Sequence, residues 1–375
     1  MGILDRIRDI ELELKRTQVN KATMGHICRL KSRLARLRTQ LLLDEEKARK
    51  QGAGSAEGFE VPKQGDARVI MLGAPSIGKS TFVSQVTGID SAVAAYEFTT
   101  VDCIPGELHL RGARIQLLDL PGIIEGAAQG RGRGRQVIAL ARSADLVLMM
   151  LDVGKDVDAQ RRFIEREVEL AGIRLNRRPP NVMFQLKKAG GGITFNATCP
   201  LSHLDEKLVY AILQEYRIYN ADILVREDVN VDEFIDVIEG NRVYVPCIHV
   251  YNKIDLITIE ELDRLARSDP YHGVVLSCAL RLNMDEVLEK IWRALKIVRV
   301  YTKKRGEPPD FERPLILRSS QARVADACRK IHRSLADPTQ FRYALVWGRS
   351  TKHDPQRVGL SHQLADEDVL CVVTK

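Results

Sequence analysis

The sequence predicts an α/β protein built on a doubly wound sheet. It adds a helical hairpin at the N-terminus, an inserted α+β segment and a small α+β tail domain. Three observations predict this. Short apolar runs alternate with amphipathic segments through the middle of the chain. A glycine-rich turn joins the first such run to a helix. The alternation breaks twice, across about residues 174–244 and from Val298 onward.

The hairpin comes first. Ile3, Ile7, Ile10 and Leu14 step by four, three and four, while Ile27, Leu30, Leu34, Leu37 and Leu41 step by three, four, three and four. Each set makes one apolar stripe, so two helices can zip together over residues 1–50. Thr23 is placed to N-cap the second helix. That helix also carries Arg29, Lys31, Arg33, Arg36 and Arg38 off its stripe. These are read either as a solvated face or as an RNA-contacting face.

Residues 51–66, with "QGAGSAEG", read as a linker. The first part of the α/β domain follows at 67–173. "ARVIMLG", "RIQLLDL" and "DLVLMMLDV" are buried strands, and "DAQRRFIEREVELAG" is a helix ending at Gly172. The insertion spans 174–244 and includes a hairpin signal in "KKAGGGITFNAT". The second part covers 245–297: "YVPCIHVYNKID" as one strand, "IEELDRLARS" as a helix, "GVVLSCA" as a strand and "MDEVLEKIWRALKIV" as a closing helix. The tail, 298–375, reads as short strands around one helix, "VADACRKIHRSLA".

Composition excludes several classes. Hydrophobic content of 45% supports packed cores rather than disorder. Aromatic content of 5% argues against an extended base-stacking platform. The longest apolar run, "LVLMML", is far too short to span a membrane, and no N-terminal targeting segment is read. The seven cysteines show neither zinc-like nor CxxC spacing, which fits a reducing cytoplasm. Residues 1–50 carry 13 Lys+Arg against 7 Asp+Glu, and residues 297–375 carry 15 against 9. The centre is therefore acidic, and the basic ends point to a polyanionic partner.

The chemistry sits in four short stretches. Gly73, Ala74, Pro75, Ser76, Ile77, Gly78, Lys79, Ser80 and Thr81 fit the phosphate-loop pattern between a strand and a helix. Backbone N–H groups there can cradle phosphates, Lys79 can reach the β- and γ-phosphates, and Ser80 can bind Mg²⁺. "NKID" (Asn252, Lys253, Ile254 and Asp255) ends a late strand. A carboxylate at Asp255 can accept from the guanine ring N–H and amine, and the Lys253 stem can lie along the base. Ser277, Cys278 and Ala279 end the next strand, where a backbone N–H can meet the guanine carbonyl. Asp119, Leu120, Pro121 and Gly122 form "DLPG", which places Asp119 toward Mg²⁺ and Gly122 toward a γ-phosphate. "YEFTTV" supplies Phe98, Thr99 and Thr100, with Thr100 as a second Mg²⁺ ligand. Lys79, Thr100 and Gly122 form the candidate catalytic set.

The residue after "DLPG" is Ile123, which cannot orient a water molecule. Arg131, Arg133 and Arg135 follow in a glycine-rich run. That run is read as a nucleotide switch, with a short RNA-binding tract as the alternative.

"GAPSIGKST", "YEFTTV", "DLPGIIEGAAQGRGRGRQ", "GNRVYVPC", "NKID" and "YALVWG" resemble the developmentally regulated GTP-binding (DRG) proteins of the Obg-like branch of translation-factor-related GTPases. "RTQVNKAT", the insertion and the tail extend the match nearly end to end. "MGIL", "VYNKID" and "YTKKRG" are closer to the second of two eukaryotic paralogues. The resemblance implies a Ras-like P-loop GTPase domain with an S5D2L-type insertion and a β-grasp TGS tail. It implies GTP/GDP and Mg²⁺ as ligands, with K⁺ used by some relatives. It implies ribosomes, RNA and a DFRP-type regulatory protein as partners, with neither membrane nor DNA expected. A hydrophobic residue in place of the catalytic glutamine conforms to the family. Ala74 departs from it, since an aromatic is usual there. Ser76 occupies the slot where potassium-dependent relatives place Asn. The expected function is a slow GTPase switch on ribosomes, with an RNA or ribosome adaptor holding GTP as a structural cofactor as the alternative.

Overall fold

A computed structural model describes residues 2–52, 65–87, 104–119, 142–170, 172–188, 190–337 and 339–374. Helices α1 (Ile3–Arg16) and α2 (Met24–Gly52) precede β1 (Ala67–Leu72), α3 (Lys79–Thr87), β2 (Ile104–Leu110), β3 (Ala113–Asp119) and β4 (Leu146–Asp152). Then come α4 (Val157–Leu170), β5 (Ile173–Leu175), β6 (Val182–Leu186), β7 (Ile193–Ala197), α5 (Glu206–Glu215), β8 (Ala221–Val225), α6 (Val231–Glu239) and β9 (Val243–Val245). The chain continues through β10 (Cys247–Asn252), α7 (Ile259–Ser268), β11 (Val274–Val275) and α8 (Met284–Leu295). It ends with β12 (Ile297–Thr302), β13 (Asp310–Arg318), α9 (Val324–Ile331), β14 (Phe341–Trp347), β15 (Gln356–Val358) and β16 (Asp368–Thr374). Two compact units result: Met1–Gly58 with Gly172–Tyr244, and Phe59–Ala171 with Val245–Lys375.

The second unit is built on a six-stranded sheet in the order β11-β10-β4-β1-β3-β2. Every pairing in it is parallel except β2 with β3. β1 and β4 are buried at every position, which is why they read as largely apolar runs, interrupted in β1 by Arg68, whose guanidinium donates to Gln116 and Ser143. The parallel strands end together, so Asp119, Asp152 and Asn252 close β3, β4 and β10 at one edge. That is the edge where an open α/β sheet binds ligands.

Four strand and helix boundaries differ from expectation. One is in the tail, where the helix expected over "VADACRKIHRSLA" stops at Ile331 because His332 is extended, and a 3-10 turn follows at Arg333–Ala336. "YVPCIHVYN" is two strands, because Pro246 has no N–H for a ladder. β9 pairs with β5, while β10 joins the main sheet beside β4. The closing helix stops at Leu295, since Lys296 turns left-handed at φ 48°. Ile297 and Val298 then open strand β12 rather than extend the helix. "GVVLSCA" keeps only Val274–Val275 as strand, and Ser277 instead bridges to Leu282 across a tight loop.

The tail forms a five-stranded sheet, β13-β12-β16-β14-β15, with α9 over one face. It belongs to the same unit as the main sheet. Ile316 of β13 packs into the main core with Ile297 and Trp292. Arg111 and Arg299 lie 5.5 and 5.4 Å from the Trp292 ring. Arg318 pairs with Asp145, and Lys330 with Asp66 at 2.8 Å.

The other unit joins the hairpin to the insertion. Ile7 and Ile10 of α1 meet Leu30, Leu34 and Leu37 of α2, so the predicted stripes zip. Cys28 and Ala35, on another side of α2, enter the core of the insertion with Ile212, Ile223 and Phe234. Thr23 does precede α2, but its hydroxyl bonds Gln18 O at 2.5 Å and so closes the turn instead of capping the helix. Four of the five basic residues noted on α2 have partners within this unit. Lys31 meets Asp232 at 2.7 Å, Arg33 meets Glu215 at 3.1 Å and Arg38 meets Glu11 at 2.7 Å. Arg36 donates to Glu215 O at 2.6 Å, which leaves Arg29 exposed.

The predicted hairpin at "KKAGGGITFNAT" does not form. β6 and β7 lie on opposite sides of β8, antiparallel and parallel to it respectively. β8 alternates buried Ala221, Ile223 and Val225 with half-buried residues, and takes the central place. β7-α5-β8 is therefore a crossover unit, which a local turn signal cannot reveal.

Asp236 ties this unit together. Its carboxylate accepts from Arg174 Nε at 2.7 Å and Arg242 Nε at 2.9 Å, and all three side chains are largely buried. Replacing Asp236 with Ala removes the buried carboxylate that two guanidiniums share, at a cost of about 3–5 kcal/mol. The expected outcome is a lower urea midpoint and faster amide exchange in β6, β7 and β8; an unchanged midpoint would show that the triad is not stabilising.

Candidate functional site

The site gathers at the ends of β1, β3, β4 and β10, and it starts with the glycine loop after β1. Gly73 lies so close to β4 that a Cβ there would be 2.7 Å from Met150 O. Gly78 has φ 102°, and a Cβ would be 2.5 Å from Asn252 Nδ2. Glycine is required at both positions, at Gly73 by close approach and at Gly78 by close approach and backbone conformation together. Ser76 is also left-handed, at φ 62°, which is costly for a residue with a Cβ and is typical of a shaped ligand loop.

Lys79 opens α3 and is 7% exposed. Its ammonium donates to Gly73 O at 3.1 Å and Ala74 O at 3.0 Å. It thus lies along the loop whose backbone would hold phosphates. Burial pushes its pKa below the usual lysine value, and Asp119 partly opposes that shift. An incoming phosphate would supply the counter-charge the ammonium lacks. Pro75, Ser76, Ser80 and Thr81 are exposed around this loop, and Ile77 is buried beneath it.

Ser80 Oγ donates to Asp119 Oδ2 at 2.6 Å. Asp119 is 5% exposed, and its Oδ1 has no hydrogen-bond partner among the described residues. A buried carboxylate oxygen without a donor, beside a serine hydroxyl, is a hard-oxygen donor set that suits Mg²⁺. The predicted Phe98, Thr99, Thr100, Leu120, Pro121, Gly122 and Ile123 lie outside the described residues.

The "NKID" stretch meets the loop directly. Asn252 Nδ2 donates to Ile77 O at 2.6 Å, and its Oδ1 accepts from Cys278 N at 3.0 Å and Lys253 N at 2.8 Å. One buried side chain therefore joins three segments. Asp255 Oδ1 accepts from Ser277 Oγ at 2.6 Å, which fixes how its carboxylate faces outward. Ile254 opens a short 3-10 turn that carries Asp255. Of the three residues expected to offer an N–H to a base carbonyl, two have theirs engaged. Ser277 N reaches Leu282 O and Cys278 N reaches Asn252 Oδ1, which leaves Ala279. The Cys278 thiol is buried, its pKa pushed up to about 11 by desolvation, so it packs rather than reacts.

Two residues here were not anticipated. Gln85 of α3 donates to Cys278 O at 2.6 Å, tying the phosphate-loop helix to the base loop. Asp152, at the end of β4, accepts from Lys253 Nζ at 2.7 Å. A signal for Asp152 exists in the sequence: "LLD", "MLD" and "VYN" are all apolar runs ending in a polar residue. Gln85 carries no such signal.

Comparison with known proteins agrees with this geometry. Residues 68–185 match a family model described as a 50S ribosome-binding GTPase, 190–297 the C-terminal region of that domain, and 298–374 a TGS domain. The chain is 57% identical to developmentally-regulated GTP-binding protein 2 of Mus musculus over 375 residues, covering 100% of both chains. It is 54% identical to GTP-binding protein 1 of Schizosaccharomyces pombe, again over 100% of both. It is 52% identical to developmentally-regulated G-protein 1 of Arabidopsis thaliana, covering 100% of this chain and 92% of that one. A solved GTP-binding protein from Pyrococcus horikoshii aligns with 82% of this chain and 100% of its own at 16% identity and a TM-score of 0.46. The phosphate loop and the "NKID" loop thus sit in a chain whose full length aligns with the three curated relatives, and the chain belongs to the developmentally regulated GTP-binding protein family of P-loop GTPases.

Proposed function

We propose that this protein is a GTP-hydrolysing switch with slow intrinsic turnover, acting on ribosomes during translation in the cytoplasm. The Asn252 bridge carries the reading, because one buried side chain joins the phosphate loop to the loop read as the base reader. In this reading Asp255 reads the guanine N–H and amine, Ala279 meets its carbonyl, and Lys79 meets the β- and γ-phosphates. Ser80 and Asp119 hold Mg²⁺, with Thr100 as the further ligand. Bound there, Mg²⁺ would offset the charge of the β- and γ-phosphates. Gly122 and Thr100 sense the γ-phosphate, and its loss on hydrolysis releases them.

Ile123 supplies no group to orient water, so a partner must complete the reaction. Candidates are the ribosome, a DFRP-type regulatory protein or K⁺. A missing trans group is worth roughly 10³–10⁵ in rate in related switches.

The tail supports the ribosome and RNA reading. Lys303 lies 5.0 Å from the Trp347 ring, and Arg357 lies 4.1 Å from the Tyr343 ring. Cation and aromatic side by side suit a single-stranded polyanion with stackable bases. The basic residues of α2 no longer contribute to this argument, since four of the five noted there have partners within their unit. The same tail favours the second reading, an RNA or ribosome adaptor that holds GTP as a structural cofactor.

Two experiments test these readings. Lys79→Met removes a buried ammonium whose hydrogen bonds, among the described residues, go to two carbonyls, so the nucleotide-free protein should melt no lower than wild type, while GTP affinity falls at least tenfold, on the order of one charged contact. Persistence of tight GTP binding, followed by fluorescence titration, would refute the assigned role. If ribosome co-sedimentation and cell function survive this change, the adaptor reading wins. The second measurement is GTP turnover. The protein alone should be slow, and ribosomes, the regulatory partner or K⁺ in place of Na⁺ should raise the rate by a factor on the order of 10³. Turnover of several per second by the protein alone would sink the switch with a missing group.

A further inference from the structure

We infer that Asp152 is a positioning residue for base recognition, acting through Lys253. This rests on the reading of Asn252–Asp255 as the guanine-reading loop.

Asp152 is the register partner of Asn252 across the β4–β10 pair, so the two stand side by side at the ligand edge. Its side chain is 5% exposed, and both carboxylate oxygens have partners. Oδ2 accepts from Lys253 Nζ at 2.7 Å, and Oδ1 accepts from Gly154 N at 3.0 Å. The backbone of Asp152 is held as well. Its N–H donates to Gln160 Oε1 at 3.2 Å, and its carbonyl accepts from Gln160 Nε2 at 3.0 Å. Residue 152 is thus clamped from α4 on one side and presents a fixed charge on the other.

Lys253 needs such an anchor. Its backbone is left-handed at φ 68°, and its side chain is one-third exposed. A free lysine stem samples many rotamers, and ordering it against a base opposes binding. Here the Nζ is already held at one end by Asp152, and the backbone N–H is held at the other by Asn252 Oδ1. The stem between them is a preset apolar strip. Preorganisation of this kind raises affinity without a new contact to the ligand. Asp152 therefore sets where the base plane rests, while Asp255 reads which base it is.

The stem contacts any purine, so the effect should be blind to the groups that Asp255 reads. In the full-length protein, Asp152→Asn should weaken GDP and IDP by the same factor, about tenfold for loss of a charged hydrogen bond. Lys253→Met should weaken both at least as much. Adding Asp152→Asn to Lys253→Met should then change affinity less than twofold, within the scatter of independent effects. An equal loss in both backgrounds would mean that Asp152 acts through the strand and not through Lys253, and would overturn the inference. So would no loss in the wild-type background. Asp152→Ser, whose hydroxyl can still accept from Gly154 N–H, repeats the cycle if the asparagine variant misfolds. Asp255→Asn is the control for the underlying reading: it should shift preference from GDP toward XDP. If that preference does not move, the guanine-loop reading itself falls, whatever Asp152 does.

Discussion

One side-chain amide organises the ligand edge of this protein. Asn252 is 2% exposed, and it donates to the phosphate loop and accepts from the base loop. Its partners Ile77 and Cys278 are 175 and 26 residues away in sequence. Buried polar atoms must be paired, so this geometry leaves little freedom. The loop must approach closely, and Gly78 permits it because a Cβ would strike the amide nitrogen. Gln85 adds a second tie from the helix that follows the loop. The loop after β1, the end of β10 and the Ser277–Ala279 loop are therefore mechanically one element.

Charge is used in two different ways across the chain. At the ligand edge, Lys79 is buried beside loop carbonyls, and among the described residues Asp119 Oδ1 has no donor. Elsewhere, several charges find partners within the fold. The arginines and lysine of α2 reach carboxylates and a carbonyl of the insertion or of α1. Arg318 and Lys330 join the tail to the base of the main sheet through Asp145 and Asp66. A formal charge of +6 at either end therefore overstates what is free to meet a polyanion. In the tail, the cation–aromatic pairs at Trp347 and Tyr343 are the more telling feature.

Much of the site was legible because its residues act through local pattern. Glycines at fixed spacing before Lys79 and Ser80 announce a phosphate loop, and "NKID" after an apolar run announces a loop at the same sheet edge. Asp152 was legible only as the end of a buried strand, since its role depends on which strand lies beside it. The β4–β10 pairing joins segments about a hundred residues apart, and no local rule predicts it. Ser277 was expected to offer its backbone, yet its hydroxyl holds Asp255. That exchange follows from the tight loop to Leu282, which the apolar run "GVVL" conceals.

The sequence by itself determined the element types, the phosphate loop and the apolar stripes of α1 and α2, because propensity, periodicity and turn chemistry are short-range. Tertiary structure decided what those elements were for. It placed β8 between β6 and β7, where the sequence suggested a hairpin. It turned the basic side of α2 into ion pairs, put Ile316 of the tail into the main core, and set Asp152 against Lys253. Each depends on long-range burial and pairing, where the partner is chosen by space rather than by sequence distance.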